Sequence, residues 1–240
     1  MRITRLTLPS TDTEACLAFY RDVLQLPTRG MSVHVGWTQV DIVPAAADTG
    51  CVHLAFNIPC QRFDAACTWL RERALLLRDP LGEDRFHIGG AWDAQSVYFA
   101  GPHDSVLELI ARRPIDTGLA ATGSFRSSEI ACVSEVGLPT DDVPGLVRDI
   151  VVLTGLTPFG SFSDDFAPIG GHEGLLIVVD RRRPWVPELR QLPGARGIRV
   201  TMEGVLPGAS LSDEEGWGVV SAGTTSGTSR KTGHVSIPVW

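Results

Sequence analysis

The strongest constraint on this chain is a repeat: strand, helix and further strands, in an order that returns at a spacing of roughly fifty to sixty residues. Ile3-Thr4-Arg5-Leu6-Thr7-Leu8 alternates with the period of a half-buried strand, and Pro9-Ser10-Thr11-Asp12 supplies turn and N-cap chemistry. A helix is expected next, its apolar face made by Ala15, Leu17, Ala18, Phe19, Val23 and Leu24, with Leu26-Pro27 as its stop. Two strand-like runs follow, Met31 to Val35 and Thr38 to Val43, separated by Gly36-Trp37. The loop before them has room for one more short strand.

The same order returns with Val52 to Pro59 as strand and Phe63 to Leu77 as helix. Strands at Ser96 to Phe99 and Val106 to Ile110 then flank the turn Gly101-Pro102-His103-Asp104. A third copy has a strand from Cys132 to Pro139, a cap at Asp141-Asp142 and a helix from Val143 to Leu153, with strands at Phe166 to Ile169 and Gly174 to Val179. A fourth starts at Gly197 to Met202, and no helix follows it. A unit of this kind cannot bury its apolar face alone, so copies must stack on one another. The expected class is α+β: repeated βαβββ modules forming curled mixed or antiparallel sheets with helices packed outside. The expected organisation is a two-module domain at 1–113, a Gly/Ala/Thr/Ser-rich linker at 114–127, a second and partial domain of the same type at 128–204, and a tail at 205–240. Within the tail, 221–232 reads as flexible and 234–240 as either strand or disorder.

Composition removes several alternatives. With 43% hydrophobic residues in 240, the chain can bury a core, which excludes disorder throughout. No apolar run reaches the roughly 18 residues of a membrane helix, and no signal peptide opens the chain, so a cytoplasmic protein is expected. A net charge of −7 without a basic stripe argues against a nucleic-acid partner, and Arg181-Arg182-Arg183 reads as a solvated loop. Five cysteines without a CxxC pair give neither a disulfide framework nor a zinc knuckle.

Aligning the copies sets Arg5 opposite His53 and Asp41 opposite Glu108. Glu135 and Arg199 take the first-strand position in the third and fourth copies, and Ile177 the last-strand position in the third. The segments AFYRDVLQLP (18–27) and YFAGPHDSVLELIAR (98–112), in this order of elements, resemble the vicinal oxygen chelate superfamily, which includes glyoxalases, extradiol ring-cleaving dioxygenases and bleomycin-resistance proteins. The resemblance covers 3–112 and extends in part over 129–204. It implies that two modules close into a cup around a metal or ligand. It further implies that ligands come from the first strand of each module and from an acid in its last strand, which here means Arg5, His53 and Glu108.

The chemistry of these residues accepts only part of that set. A guanidinium stays protonated and only donates, so Arg5 cannot ligate a cation. Asp41 with His53 and Glu108 is one admissible set. If module two closes against module three, His53, Glu108 and Glu135 form another, either of them suited to Fe, Mn, Zn or Ni. On the first hypothesis the protein is a glyoxalase- or dioxygenase-type enzyme that uses a divalent metal on a small substrate with adjacent oxygens. Glu108 then moves protons, Arg5 holds a substrate carboxylate, and Trp37, Phe56 and Tyr98, with Trp92 and Phe99, supply apolar walls. The alternative is a metal-free protein that binds a small molecule, with no cofactor and with Arg5 neutralising Glu108. The open edge of an incomplete fourth module would suit a homodimer.

Overall fold

The computed structural model describes residues 1–115, 122–214 and 216–223. Module one contains β1 (Arg2–Ser10), α1 (Thr13–Ala18, continuing as the π-helical turn Phe19–Val23), β2 (Thr28–Arg29), β3 (Ser32–Val35) and β4 (Thr38–Pro44). Module two contains β5 (His53–Ile58), α2 (Phe63–Arg71), β6 (Phe86–Ile88), β7 (Ala94–Ala100) and β8 (Val106–Arg112). Module three contains β9 (Cys132–Thr140), α3 (Val143–Thr154), β10 (Phe166–Gly171) and β11 (Gly174–Asp180), and the fourth contains β12 (Arg199–Glu203), β13 (Ser210–Ser212) and β14 (Gly218–Ser221).

The helices begin where the sequence places their caps. Asp12 Oδ1 accepts from the Ala15 N–H at 2.9 Å, and Asp142 Oδ1 from the Gly145 N–H at the same distance. Helix α2 stops at Arg71, short of the expected Leu77, because the last residues pair with β7 instead. The Ala100 N–H donates to the Leu75 carbonyl and the Leu77 N–H to the Tyr98 carbonyl, each at 2.9 Å. A sheet edge in need of partners outweighs helix propensity there.

Two seven-stranded mixed sheets result, ordered β13-β14-β12-β1-β4-β3-β2 and β10-β11-β9-β5-β8-β7-β6. In every module the first strand runs parallel to the last, as in β1 with β4, β5 with β8, β9 with β11 and β12 with β14. First strands join modules in antiparallel pairs, β1 to β12 and β5 to β9. Module one therefore shares a sheet with the fourth, and module two with module three. The division expected between 1–113 and 128–204 does not separate the sheets, since both draw strands from either side of it. Part of the expected linker is anchored: Phe125 is buried against Trp69, and Arg62 donates Nη2 to the Gly123 carbonyl at 3.0 Å. The expected tail at 205–240 is corrected as well, because β13 and β14 hydrogen-bond into the first sheet. Residues 224–240, which hold most of the 221–232 stretch and all of 234–240, lie outside the described residues.

Alternation along the strands sends one face of both sheets into a continuous core. Leu6, Val40 and Val200 come from one sheet and Leu54, Phe56, Leu107, Leu109 and Val178 from the other, with α1, α2 and α3 packed among them through Leu17, Phe63, Leu70 and Ile150. His103, at left-handed φ 55 in its turn, ties the sheets together. Its Nε2 lies 2.7 Å from Ser10 Oγ and its Nδ1 3.2 Å from Asp48 Oδ1. Among the described residues no helix is long and apolar enough to cross a membrane.

Candidate metal centre

The opposite face of the second sheet is where chemistry collects. Strand β5 lies between β8 and β9, and the register sets Ala55 opposite Glu108 on one side and Glu135 on the other. Side chains two residues apart on a strand share a face, so His53 points the same way as Ala55. The methyl group of Ala55 is all that lies between the two carboxylates at that level. His53 Nε2 is 3.6 Å from Oε2 of Glu108 and 3.6 Å from Oε2 of Glu135, and one donor atom from each of the three residues falls within 4.8 Å of the others. All three are buried, at 5%, 2% and 3% relative exposure.

Each of these side chains is held from behind. The Nδ1 of His53 lies 3.1 Å from the Val106 carbonyl, an acceptor only, so Nδ1 carries a proton and Nε2 faces the two glutamates. Ser96 donates its hydroxyl to Oε1 of Glu108, and Arg112 donates Nη2 to Oε1 of Glu135. Arg112 is itself fixed by Asn57 Oδ1 at 3.1 Å and by the face of Trp92 at 5.0 Å. Outer partners that hold one atom of a ligand while its other atom faces the centre are a regular feature of metal sites.

Burial, then the neighbouring Glu135 charge, pushes the Glu108 carboxyl up to about 7. For His53 burial works downward, but the hydrogen bond to Glu135 and the charges of both glutamates outweigh it, and the net shift is upward. Both shifts express one demand, for positive charge among two buried carboxylates. A proton answers it, and so does a cation. One imidazole nitrogen and two carboxylate oxygens suit Fe(II), Mn, Zn or Ni, so the residues present fit a divalent ion.

Of the remaining expected site residues, all but Tyr98 and Trp92 lie elsewhere. Asp41 is on β4 of the other sheet, where it pairs with Arg5 Nε at 2.7 Å and accepts from Ser32 and Gln39. The Asp41, His53 and Glu108 set is thereby corrected, as is the Arg5–Glu108 ion pair, because the pairing of modules two and three leaves Arg5 and Asp41 outside this hollow. Arg5 cannot hold a substrate there. Trp37 sits at the β3–β4 turn under the Arg2 guanidinium, 4.8 Å away. Phe56 and Phe99 point into the shared core, opposite in parity to Ala55 and Tyr98. Tyr98, directly opposite Glu108 on β7, does face the site.

No protein-family profile matches the sequence, and no curated protein matches it. Solved structures do. A candidate dioxygenase from Bacillus subtilis matches with a TM-score of 0.59 at 14% identity, over 93% of this chain and 86% of that one. Glyoxalase I from Zea mays matches with a TM-score of 0.54 at 14% identity, over 92% and 91%. Both belong to the vicinal oxygen chelate superfamily. The chain has the vicinal oxygen chelate fold.

In this copy of the vicinal oxygen chelate fold, a cavity of about 180 Å³ opens over the three residues. Its walls are Ile88, Trp92, Tyr98, Phe166, Ile177 and Trp185, with Arg183 and Val186 at the side. Trp185 stacks on His53 with ring centroids 4.9 Å apart and donates Nε1 to the Cys51 carbonyl at 3.1 Å. It fits because residue 137 is glycine: a Cβ there would come within 2.7 Å of the indole and 3.3 Å of the His53 Cβ. Ser96, Arg112, Gly137, Phe166, Arg183 and Trp185 were not singled out from the sequence as site residues. Arg112 had a legible signal, since it is four residues from Glu108 on one strand face.

Proposed function

We propose that this protein is a divalent-metal enzyme of glyoxalase or extradiol dioxygenase type, acting on a small substrate with adjacent oxygens. The observation that carries the reading is the inward convergence of His53 Nε2, Glu108 Oε2 and Glu135 Oε2 while Val106, Ser96 and Arg112 hold the far atoms. A divalent ion held by these three would supply Lewis acidity, gripping two neighbouring substrate oxygens and stabilising negative charge that develops on them. Trp92, Tyr98, Phe166 and Trp185 keep bulk water from the reacting atoms and set a flat substrate between aromatic faces. Glu108, with Oε1 fixed by Ser96, is the carboxylate that would take a substrate proton and return it. Arg112 keeps Glu135 aimed at the centre. None of the five cysteines is in a disulfide, which suits a cytoplasmic setting.

One observation favours the alternative, a metal-free protein that binds a small molecule. Arg112 neutralises Glu135, and a proton shared between His53 and Glu108 balances most of the remaining charge. Metal analysis of protein purified without chelator or affinity tag separates the two readings. The metal reading expects about one divalent ion per chain, with His53→Ala lowering affinity by more than about 100-fold, beyond the loss typical of an outer partner. Wild type that takes up no ion, even when Fe(II), Mn(II), Zn(II) and Ni(II) are supplied in turn, sinks it.

A further inference from the structure

The three consecutive arginines at 181–183 have different surroundings. Arg181 Nη2 pairs with Asp213 at 2.8 Å, and Arg182 grips Asp180 through Nε at 2.9 Å and Nη2 at 2.6 Å. Arg183 turns to the cavity. Its guanidinium carbon lies 4.6 Å from the Phe166 ring centroid, and its Nε is 3.3 Å from Asp165 Oδ2. Its two Nη groups make no hydrogen bond among the described residues. The side chain is 31% exposed, so this cation is only partly solvated and keeps a donor edge free beside an aromatic wall.

Size narrows what the wall can accept. An apolar cavity of about 150 Å³ holds one benzene ring. At about 180 Å³, this one takes a single ring with a few substituents, and most of a peptide-sized thiol adduct would have to lie outside it. Aromatic side chains on several sides favour a flat ring over a branched aliphatic chain. We propose that the site selects a single-ring planar ligand bearing one carboxylate, and that Arg183 is the residue that sets the preference for the anion. The placing of the ring's adjacent oxygens toward His53, Glu108 and Glu135 rests on the metal reading above; the contact with Arg183 does not.

Titrations of wild type, Arg183→Gln and Arg183→Lys, followed by tryptophan fluorescence and calorimetry, test this with and without Mn(II). The probes are catechol, 3,4-dihydroxybenzoate and S-lactoylglutathione. A hydrogen bond to a charged group is worth about 1.5–3 kcal/mol, so wild type should prefer 3,4-dihydroxybenzoate to catechol by about 10-fold or more. The ratio should fall toward one in Arg183→Gln and survive in good part in Arg183→Lys, with catechol as the reference within each protein. The glutathione thioester should bind worst. If no metal binds but the ratio still depends on Arg183, the metal reading fails and this one stands. If metal binds and the ratio is near one in wild type, is unchanged in Arg183→Gln, or the thioester binds best, the selection by Arg183 is overturned.

Discussion

The two sheets are built to one register and carry opposite chemistry. In the second, Ala55 faces Glu135 and Glu108; in the first, Thr201 faces Arg5 and Val220. Arg199 stands two residues before Thr201, as His53 does before Ala55, and Asp41 faces Thr7 as Ile177 faces Gly137. Even the register shift recurs, between Ile3 and Arg5 on β1 and beside Ala55 in the β5–β9 pair. Where one sheet presents His53, Glu108, Glu135 and Ile177, the other presents Arg199, Val220, Arg5 and Asp41. Arg5 is spent on Asp41, and Arg199 donates to the carbonyls of Ile198 and Gly216. Backbone geometry thus survives a change in most of the charges it carries, and among the described residues the first sheet has no cluster of three ligating side chains.

The largest consequence is in how the two ion pairs weigh on stability. Arg112 and Glu135 are both buried, and removing one partner of such a pair costs about 3–5 kcal/mol. Arg112→Met should lower the urea-derived unfolding free energy by that amount and weaken metal affinity. A saturating divalent ion should restore part of the loss, because it supplies the missing positive charge. Arg5→Met removes a side chain that is 56% exposed, and such pairs contribute at most about 1 kcal/mol. Equal losses in the two variants would dissolve the contrast between the sheets.

Titration separates the sheets in direction. Glu108 binds its proton more tightly folded than unfolded, since its pKa rises from 4.5 to about 7. Its contribution is therefore fully present below the unfolded value and is lost as pH climbs between the two, by about 3 kcal/mol at roughly 1.4 kcal/mol per unit. His53, also shifted upward, adds to the same trend as pH rises through its folded value. Asp41 behaves in reverse. Burial works against its ionisation, yet Gln39, Ser32 and Arg5 outweigh that and lower its pKa, so its smaller share is lost only as pH falls below the usual carboxylate range. Melting temperatures of metal-depleted protein from pH 5 to 8 should fall more steeply in wild type than in Glu108→Gln. With the ion supplied, the gain in melting temperature should grow with pH, because the ligands must be deprotonated to bind it. A slope unchanged by Glu108→Gln would mean that the carboxyl is not the titrating group.

A smaller effect is expected at the position where the sheets differ by one side chain. Thr7 is half-buried on β1, while its counterpart Gly137 lies under Trp185. Gly137→Ala should cost about 1–3 kcal/mol through overpacking and shift the tryptophan emission as the indole is displaced from the cavity. Unchanged emission would show that the stack on His53 yields without leaving.

How much of this was legible follows from which physical signal each part uses. The repeat put His53 and Glu135 at the first-strand position and Glu108 at the last-strand position of their modules, because strand register carries over from copy to copy. It left open whether module two would meet module one or module three, since every first strand offers the same antiparallel edge. Phe56 was excludable by parity alone: it is three residues from His53 on one strand and must face the other way. Trp185 and Arg183 were not readable, because they arrive on the irregular segment between β11 and β12, where no periodicity fixes direction. The same holds for β13 and β14, three and four residues long in a Gly- and Ser-rich stretch that reads as tail until the β12 edge supplies their partners.

The mildest expected change tests whether the first sheet is as inert as its charges suggest. Asp41 is 22% exposed and accepts from Ser32 at 2.6 Å and Gln39 at 2.7 Å in addition to Arg5. An amide at that position keeps an oxygen for those donors and loses mainly the charge pairing with a half-solvated guanidinium. Asp41→Asn should therefore cost less than about 1 kcal/mol and leave metal content, cavity fluorescence and ligand preference as in wild type. Loss of metal in that variant, measured by elemental analysis beside Glu135→Gln, would mean that the two sheets are coupled through their shared core and that the first sheet serves the site after all.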